Sequence, residues 1–323
     1  MSPTKIGIRA IAAYLPQANL ENHELVAQHG FDPDFLDQKL GIRSRHRAAA
    51  DEHVSHMAAA AGRAVLEQSG LDPAEVQFLA VVTQTPDYCL PQVSALVQHA
   101  LGLPTSVAAL DIGLGCSGFV YGLATATAFM QTHGLTCGLL ITTEAYGKII
   151  DPADRSTAPL FGDGACATLL TDSPIFVAGR FVFGTDGSRS DALIARGSGT
   201  RKDGDGLLFM DGRSIFNFMM QEIPPSVARC LAANELTMDN VSLCVPHQAS
   251  SYMLEMLARR LGVPEGRLVV DIEDVGNTVS SSIPMALMRR VLPLASRPAS
   301  VVITGFGVGL SWCSTILFAT ENT

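Results

Sequence analysis

Charge is scarce in this chain: Asp, Glu, Lys and Arg together make up 16% of its residues. Disorder needs high charge and few apolar groups, and here 47% of residues are hydrophobic, so the chain can bury a core. Lys and Arg number 22 against 31 Asp and Glu, and no basic run or aromatic–basic interleaving occurs. The net charge of −9 therefore argues against a nucleic-acid partner.

Long apolar runs are also missing. The longest apolar stretch, around 107–130, is broken by Asp111, several glycines and polar residues, which does not suit a membrane span. The start, MSPTKIGIRAIAAYLP, lacks the basic end and apolar block of a secretory signal. Seven cysteines, an odd number without paired spacing, fit a reducing compartment better than a disulfide framework. Neither CxxC nor HxxxH occurs, so no metal site is expected. These absences lead to the expectation of a cytoplasmic protein.

What remains is an α/β enzyme pattern. With 323 residues the chain can form a large core or two ordinary domains. Strand-like runs alternate with amphipathic helical ones: FLAVVTQT (78–85) precedes VSALVQHALG (93–102). Further strands follow at 137–145, 241–248 and 301–307. This alternation predicts a largely parallel sheet with helices on both faces.

The pattern also repeats. Residues 78–104 read strand, polar turn, helix, then LGLP; residues 241–264 read strand, polar turn, helix, then LGVP. Each unit is followed by a short segment containing Asp-Ile, at 109–118 and 269–278, then by a helix and another apolar strand. Four ordered correspondences predict a duplicated fold with halves at 1–175 and 176–323. Ligands of open α/β sheets bind beyond the carboxyl ends of strands. The repeat puts Cys116 and Asn277 at equivalent junctions on that rim, with His247 at the end of a neighbouring strand.

Cys116 lies in GLGCSG, directly before the helical run FVYGLATATAFMQTHG. A thiol at a helix N-terminus faces free N–H groups and the positive end of the helix dipole, which predicts a lowered pKa. The other six cysteines read as small buried hydrophobes. His247 in VPHQAS is by itself as readily structural as catalytic. Asn277 in GNTVSSSIP reads by default as a turn or cap residue.

DIGLGCSGFVYGL, VPHQASSYML and GNTVSSSIP resemble the Cys, His and Asn motifs of the β-ketoacyl-ACP synthase III family. GIRSRHRAA (41–49), DPADRSTAPLFGDGACATLL (151–170) and GFGVGLSW (305–312) extend the resemblance over essentially the whole chain. It implies a thiolase fold, two duplicated halves in a five-layered αβαβα stack. It also implies a ping-pong reaction: an acyl-CoA acylates Cys116, and a malonyl-ACP or malonyl-CoA then decarboxylates and condenses with the acyl group. His247 and Asn277 would hold the malonyl thioester carbonyl, and the backbone N–H groups of Cys116 and Val308 would form an oxyanion hole. By family position Phe35, Lys39, Arg155 and Arg213 would meet CoA, while Leu90 and Val308 would shape the acyl pocket, Leu90 from the neighbouring subunit of a homodimer. No metal or redox cofactor is implied.

The chain departs from the family in places. Ser250 and Tyr252 stand where an Asn and a basic carrier-docking residue are usual, Phe35 stands for a Trp, and Val308 interrupts a run of three glycines. These differences suggest a specialised branch and leave two alternatives: acyl transfer to an O or N nucleophile on the same fold, or a non-catalytic partner subunit. The intact Cys, His and Asn set speaks against the latter. A Cys-His-Asn protease has the same residue order, but its Cys motif is absent.

Overall fold

The computed structural model of the chain describes residues 5–320; the first four and last three residues, the outer ends of the two expected halves, lie outside them. Ten strands form the main sheet: β1 (Gly7–Tyr14), β2 (Phe78–Val82), β3 (Ala108–Ile112), β4 (Cys137–Glu144), β5 (Gly164–Thr171), β6 (Phe176–Ala178), β7 (Val182–Thr185), β8 (Leu243–Pro246), β9 (Ser300–Gly307) and β10 (Ser311–Ala319). Their spatial order is β8-β9-β10-β6-β1-β5-β4-β2-β3, with β7 also paired to β10.

The duplication is legible in that order. One half runs β3-β2-β4-β5-β1. The other starts at residues 267–269, which bond Cys244 of β8, and continues through β8, β9 and β10 to β6 and β7. A single residue pair, Ile8↔Phe176, links the two.

The sheet is mixed rather than largely parallel. Among the named strands of the described residues, only β2 with β3, β2 with β4, and β8 with β9 are parallel pairs. Those pairs are spanned by helices, as parallel crossovers require. By contrast, β9 turns directly into β10, and β4 pairs β5 without an intervening α-helix, so both pairs are antiparallel.

Alternation along the strands builds the layers. In β2, Phe78, Ala80 and Val82 join one apolar cluster while Leu79 and Val81 join another. The second cluster packs the outer face against the two helices that follow α1 (Asn22–His29) in the chain, α2 (Val54–Ser69) and α3 (Val93–Leu101). The first fills the space between the half-sheets, around α4 (Gly118–His133) and α7 (Ser282–Ala286). Beyond β9 and β10, Val302, Trp312 and Ile316 pack in the cluster of α5 (Gly212–Ala233) and α6 (Ser251–Leu261). Two outer helical layers, the two half-sheets and one central helical layer make the five-layered αβαβα thiolase architecture.

Central placement requires α4 to approach the sheet closely. A Cβ on Gly118 would stand 2.4 Å from Val82 Cγ1, and one on Gly122 2.8 Å from Leu140 Cδ1. These two glycines let the helix bring its N-terminus against the strand ends. No helix among the described residues is long and apolar enough to cross a membrane.

Candidate active site

Four connections deliver side chains to one rim. Cys116 lies between β3 and α4, His247 directly after β8, Asn277 in the segment before α7, and Val308 in the turn from β9 to β10. Cys116, His247 and Asn277 are all buried, Cys116 at 5% exposure.

Contacts between these connections bring the three together. A Cβ on Gly307 would lie 2.9 Å from Cys116 Sγ, so only glycine leaves the thiol its space. The adjacent Phe306 meets the His247 ring edge to face, with centroids 5.6 Å apart. On the other side Gly115 abuts Val279, whose N–H donates to Asn277 Oδ1 at 2.9 Å. Asn277 is further fixed by backbone bonds: its N–H donates to Leu160 at 2.9 Å, and its carbonyl accepts from Gly162 at 2.9 Å. Arg45 and Arg47, in the GIRSRHR segment, donate to the carbonyls of Pro159, Phe161 and Ala158 and so secure the strand-like stretch against which Asn277 sits.

Asn277 Nδ2 lies 3.4 Å from His247 Nε2. On the other face of the ring, Ser282 Oγ is 2.7 Å from Nδ1. Ser282 Oγ also accepts from the Gln248 N–H at 3.4 Å, and its own proton is free to be given to Nδ1, the arrangement in which the imidazole carries its proton on Nε2. Burial holds His247 down to about 3, so the ring is neutral at ordinary pH. In that tautomer two neutral N–H donors, His247 Nε2 and Asn277 Nδ2, lie side by side, the arrangement that receives a carbonyl oxygen gaining negative charge.

The thiol differs from the sequence expectation. Burial, with the Glu144 carboxylate adding to it, pushes Cys116 up to about 12 instead of lowering it. The backbone N–H groups of Cys116 and Val308 pull the other way, without prevailing. Desolvation of the thiolate is the largest of these causes, since burial disfavours the charged form.

Below the thiol lies a buried polar group that no sequence pattern marked. Glu144 ends β4 and accepts from the hydroxyls of Thr85 at 3.0 Å and Ser280 at 3.1 Å and from the Gln84 N–H at 3.1 Å. Tyr146 donates to Gln84 Oε1 at 2.8 Å.

The expected CoA residues divide. Phe35, Lys39 and Arg155 line one cavity of about 780 Å³, together with Phe216, Ser250 and Tyr252. Phe216 stacks on Tyr252 with centroids 5.8 Å apart, and Lys39 Nζ stands 5.0 Å from the Tyr252 ring centre. Arg213 does not line this cavity; it is exposed in the first turn of α5, where its N–H donates to Asp211. Leu90 is 86% exposed, on a loop with the exposed Tyr88.

Comparison with known proteins agrees with this geometry. Residues 110–187 match the family described as 3-oxoacyl-[acyl-carrier-protein (ACP)] synthase III, and residues 231–318 match its C-terminal counterpart. The chain is 35% identical to a β-ketoacyl-[acyl-carrier-protein] synthase III of Roseiflexus castenholzii, with 94% of each protein covered. Its fold matches the crystal structure of the Pseudomonas aeruginosa PAO1 3-oxoacyl-(acyl carrier protein) synthase III at a TM-score of 0.90 and 32% identity, covering 99% of both chains. It also matches the priming β-ketosynthase of the R1128 polyketide pathway at a TM-score of 0.90 and 31% identity, over 100% of this chain and 99% of that one. With the Cys, His and Asn junctions on one rim of a thiolase fold, the chain belongs to the β-ketoacyl-[acyl-carrier-protein] synthase III family of condensing enzymes.

Proposed function

We propose that this enzyme carries an acyl group on Cys116 and joins it to a malonyl thioester by decarboxylative Claisen condensation. The observation that supports the reading most directly is the pair of N–H donors, His247 Nε2 and Asn277 Nδ2, 3.4 Å apart beside a buried thiol. Plain acyl transfer to an O or N nucleophile would leave that pair without a task.

In the first stage the Cys116 sulfur attacks the thioester carbonyl of an acyl-CoA as it gives up its thiol proton, and CoA departs, taking up a proton to become the free thiol. The N–H groups of Cys116 and Val308, whose influence on the thiol favours negative charge, would hold the tetrahedral oxyanion. In the second stage a malonyl thioester on CoA or carrier protein places its carbonyl between His247 and Asn277. Its C–COO⁻ bond breaks, CO₂ leaves, and the electron pair forms an enolate held by the two N–H groups. The enolate carbon then attacks the acyl-Cys carbonyl; the new C–C bond forms, the C–S bond breaks, and Cys116 leaves as thiolate. Neutral donors suit this task, because a carboxylate in place of Asn277 would repel the enolate.

The aromatic cavity lined by Phe35, Lys39, Arg155 and Tyr252 is the CoA entry in this reading, with Lys39 and Arg155 offering charge to phosphates. Leu90 would cap the acyl pocket of a second subunit in a homodimer, and Arg213 would lie beside the path of the pantetheine arm. Residues 1–175 and 176–323 are read as the two halves, the first supplying the nucleophile and the second the carbonyl-binding pair.

The test is mass spectrometry of the Cys116 peptide after incubation with a panel of acyl-CoAs, followed by addition of malonyl-CoA or malonyl-ACP. Acylation, then CO₂ release and loss of the acyl mass, is expected. Acylation without CO₂ release under any pairing would sink the condensation; no acylation with any donor would sink the nucleophile.

A further inference from the structure

We propose that Glu144 is a positioning residue that ties the loop of the nucleophile to the loop of the carbonyl-binding asparagine. The inference rests on the roles proposed above for Cys116 and Asn277. Its geometry is independent of them.

Glu144 is fully buried at the carboxyl end of β4. Its carboxylate accepts from two separate connections. From the β2 side come the hydroxyls of Thr85 and, at 3.4 Å, Thr83, and the Gln84 N–H; from the Asn277 side comes the hydroxyl of Ser280. Every one of these partners donates, so the cradle fits a carboxylate acceptor. No Lys, Arg or His among the described residues forms an ion pair with it. A buried carboxylate without a cation is costly, and persists where a network of donors compensates for it.

Each connection leads to a reacting group. Ser280 follows Val279, a buried β-branched residue held at φ 52°, a left-handed conformation that costs free energy unless its surroundings enforce it. The chain leaves that residue toward Ser280, while its own N–H donates to Asn277 Oδ1 and leaves Nδ2 facing His247. On the other side Gln84 follows Thr83, and its Oε1 lies where a Cβ on Gly115 would be 2.3 Å away; Gly115 directly precedes Cys116. Glu144 therefore clamps the Asn277 turn from one side and backs the Cys116 loop from the other.

The electrostatics agree. The titratable groups that feel Glu144 are Cys116 and Tyr146, and its charge raises both. Burial pushes Glu144 itself up to about 8, against its four hydrogen-bonding partners. Above that pH the carboxylate's charge disfavours a thiolate on Cys116.

Two half-reactions separate these effects in Glu144→Gln. The first is alkylation of Cys116 by iodoacetamide at pH 8–9, which needs no substrate; the second is release of CO₂ from malonyl-CoA. Losing the charge should speed alkylation at least about threefold. Loosening the Asn277 turn should slow decarboxylation about tenfold, since small misplacements of catalytic groups carry large rate penalties. Glu144→Asp, which keeps the charge, should hold alkylation near the unmutated rate. Either Glu144→Gln rate within twofold of the unmutated enzyme would overturn the proposal. Should that variant fail to fold, Ser280→Ala, which removes one donor and keeps the charge, should slow decarboxylation and leave alkylation alone; unchanged decarboxylation would then overturn it. If the unmutated enzyme releases no CO₂, the functional reading falls, while alkylation still decides the link from Glu144 to Cys116.

Discussion

The N–H of Val279 donates to Asn277 Oδ1 at 2.9 Å, and this one bond decides which end of the Asn277 amide faces His247. An amide has one acceptor end and one donor end. With Oδ1 engaged by the backbone, Nδ2 is left for the site, 3.4 Å from His247 Nε2. The same bond would hold an aspartate in the same pose, with an oxygen where the N–H₂ had been.

Asn277→Asp is therefore expected to fold and to acylate at Cys116 within a few-fold of the normal rate. Its decarboxylation should fall by about 10² to 10³, the range seen when one oxyanion-stabilising donor is lost. Burst measurement of acyl-enzyme and separate measurement of CO₂ from malonyl-CoA give the two rates. Equal loss in both steps would contradict the division of labour between Cys116 and Asn277.

His247 also carries a pH signature in stability. Burial lowers its folded pKa from 6.5 to about 3, so the unfolded chain takes up its proton first as pH falls. Stability from this group is complete above pH 6.5 and is lost progressively as pH falls toward 3. The upper limit is roughly 5 kcal/mol, at about 1.36 kcal/mol per unit. In His247→Asn, which does not titrate there, thermal unfolding midpoints should decline less steeply between pH 6.5 and 4.5; parallel declines would show that His247 is not buried neutral.

Cys116 predicts the opposite edge. Its folded pKa of about 12 lies above the ordinary 9.0, so its contribution to stability is complete below pH 9 and is lost as pH rises toward 12. Alkylation of the free enzyme by iodoacetamide should accordingly climb about tenfold per pH unit through pH 10 with no plateau near 7. A plateau below pH 8 would mean that the helix end, not burial, governs the thiol.

The rim of the site was legible in the sequence because its signals are local. Glycines around Cys116, the end of an apolar strand at His247 and the Gly276-Asn277 turn each mark a strand–helix junction. The duplicated order of those junctions placed them together. Burial is not local, and the readings that depended on it changed. Cys116 was expected to be acidic from its helix end, and the closed site reversed that. Glu144 ends an apolar strand in a run that reads like any surface turn, and nothing nearby in sequence reveals the Ser280 hydroxyl beneath it. The direction of the strand pairs was likewise hidden, since the turn at 308–310 between β9 and β10 leaves no room for a crossover.

Gly307 offers a test of how closely the thiol is packed. A Cβ there would lie 2.8 Å from Cys116 Cβ and 2.9 Å from its Sγ, closer than unstrained contacts allow. Gly307→Ala should cost about 1–3 kcal/mol, as overpacking of a filled interior does, and should slow acylation at least about a hundredfold by displacing the nucleophile. Removing the obstructing atoms should remove the clash: in a Cys116→Gly background the same substitution should destabilise much less. Residues in direct contact couple in this way, and a double-mutant cycle on denaturation free energies reads the coupling. Additive losses would mean that Gly307 is needed for its own backbone conformation instead of for the space it leaves to Cys116.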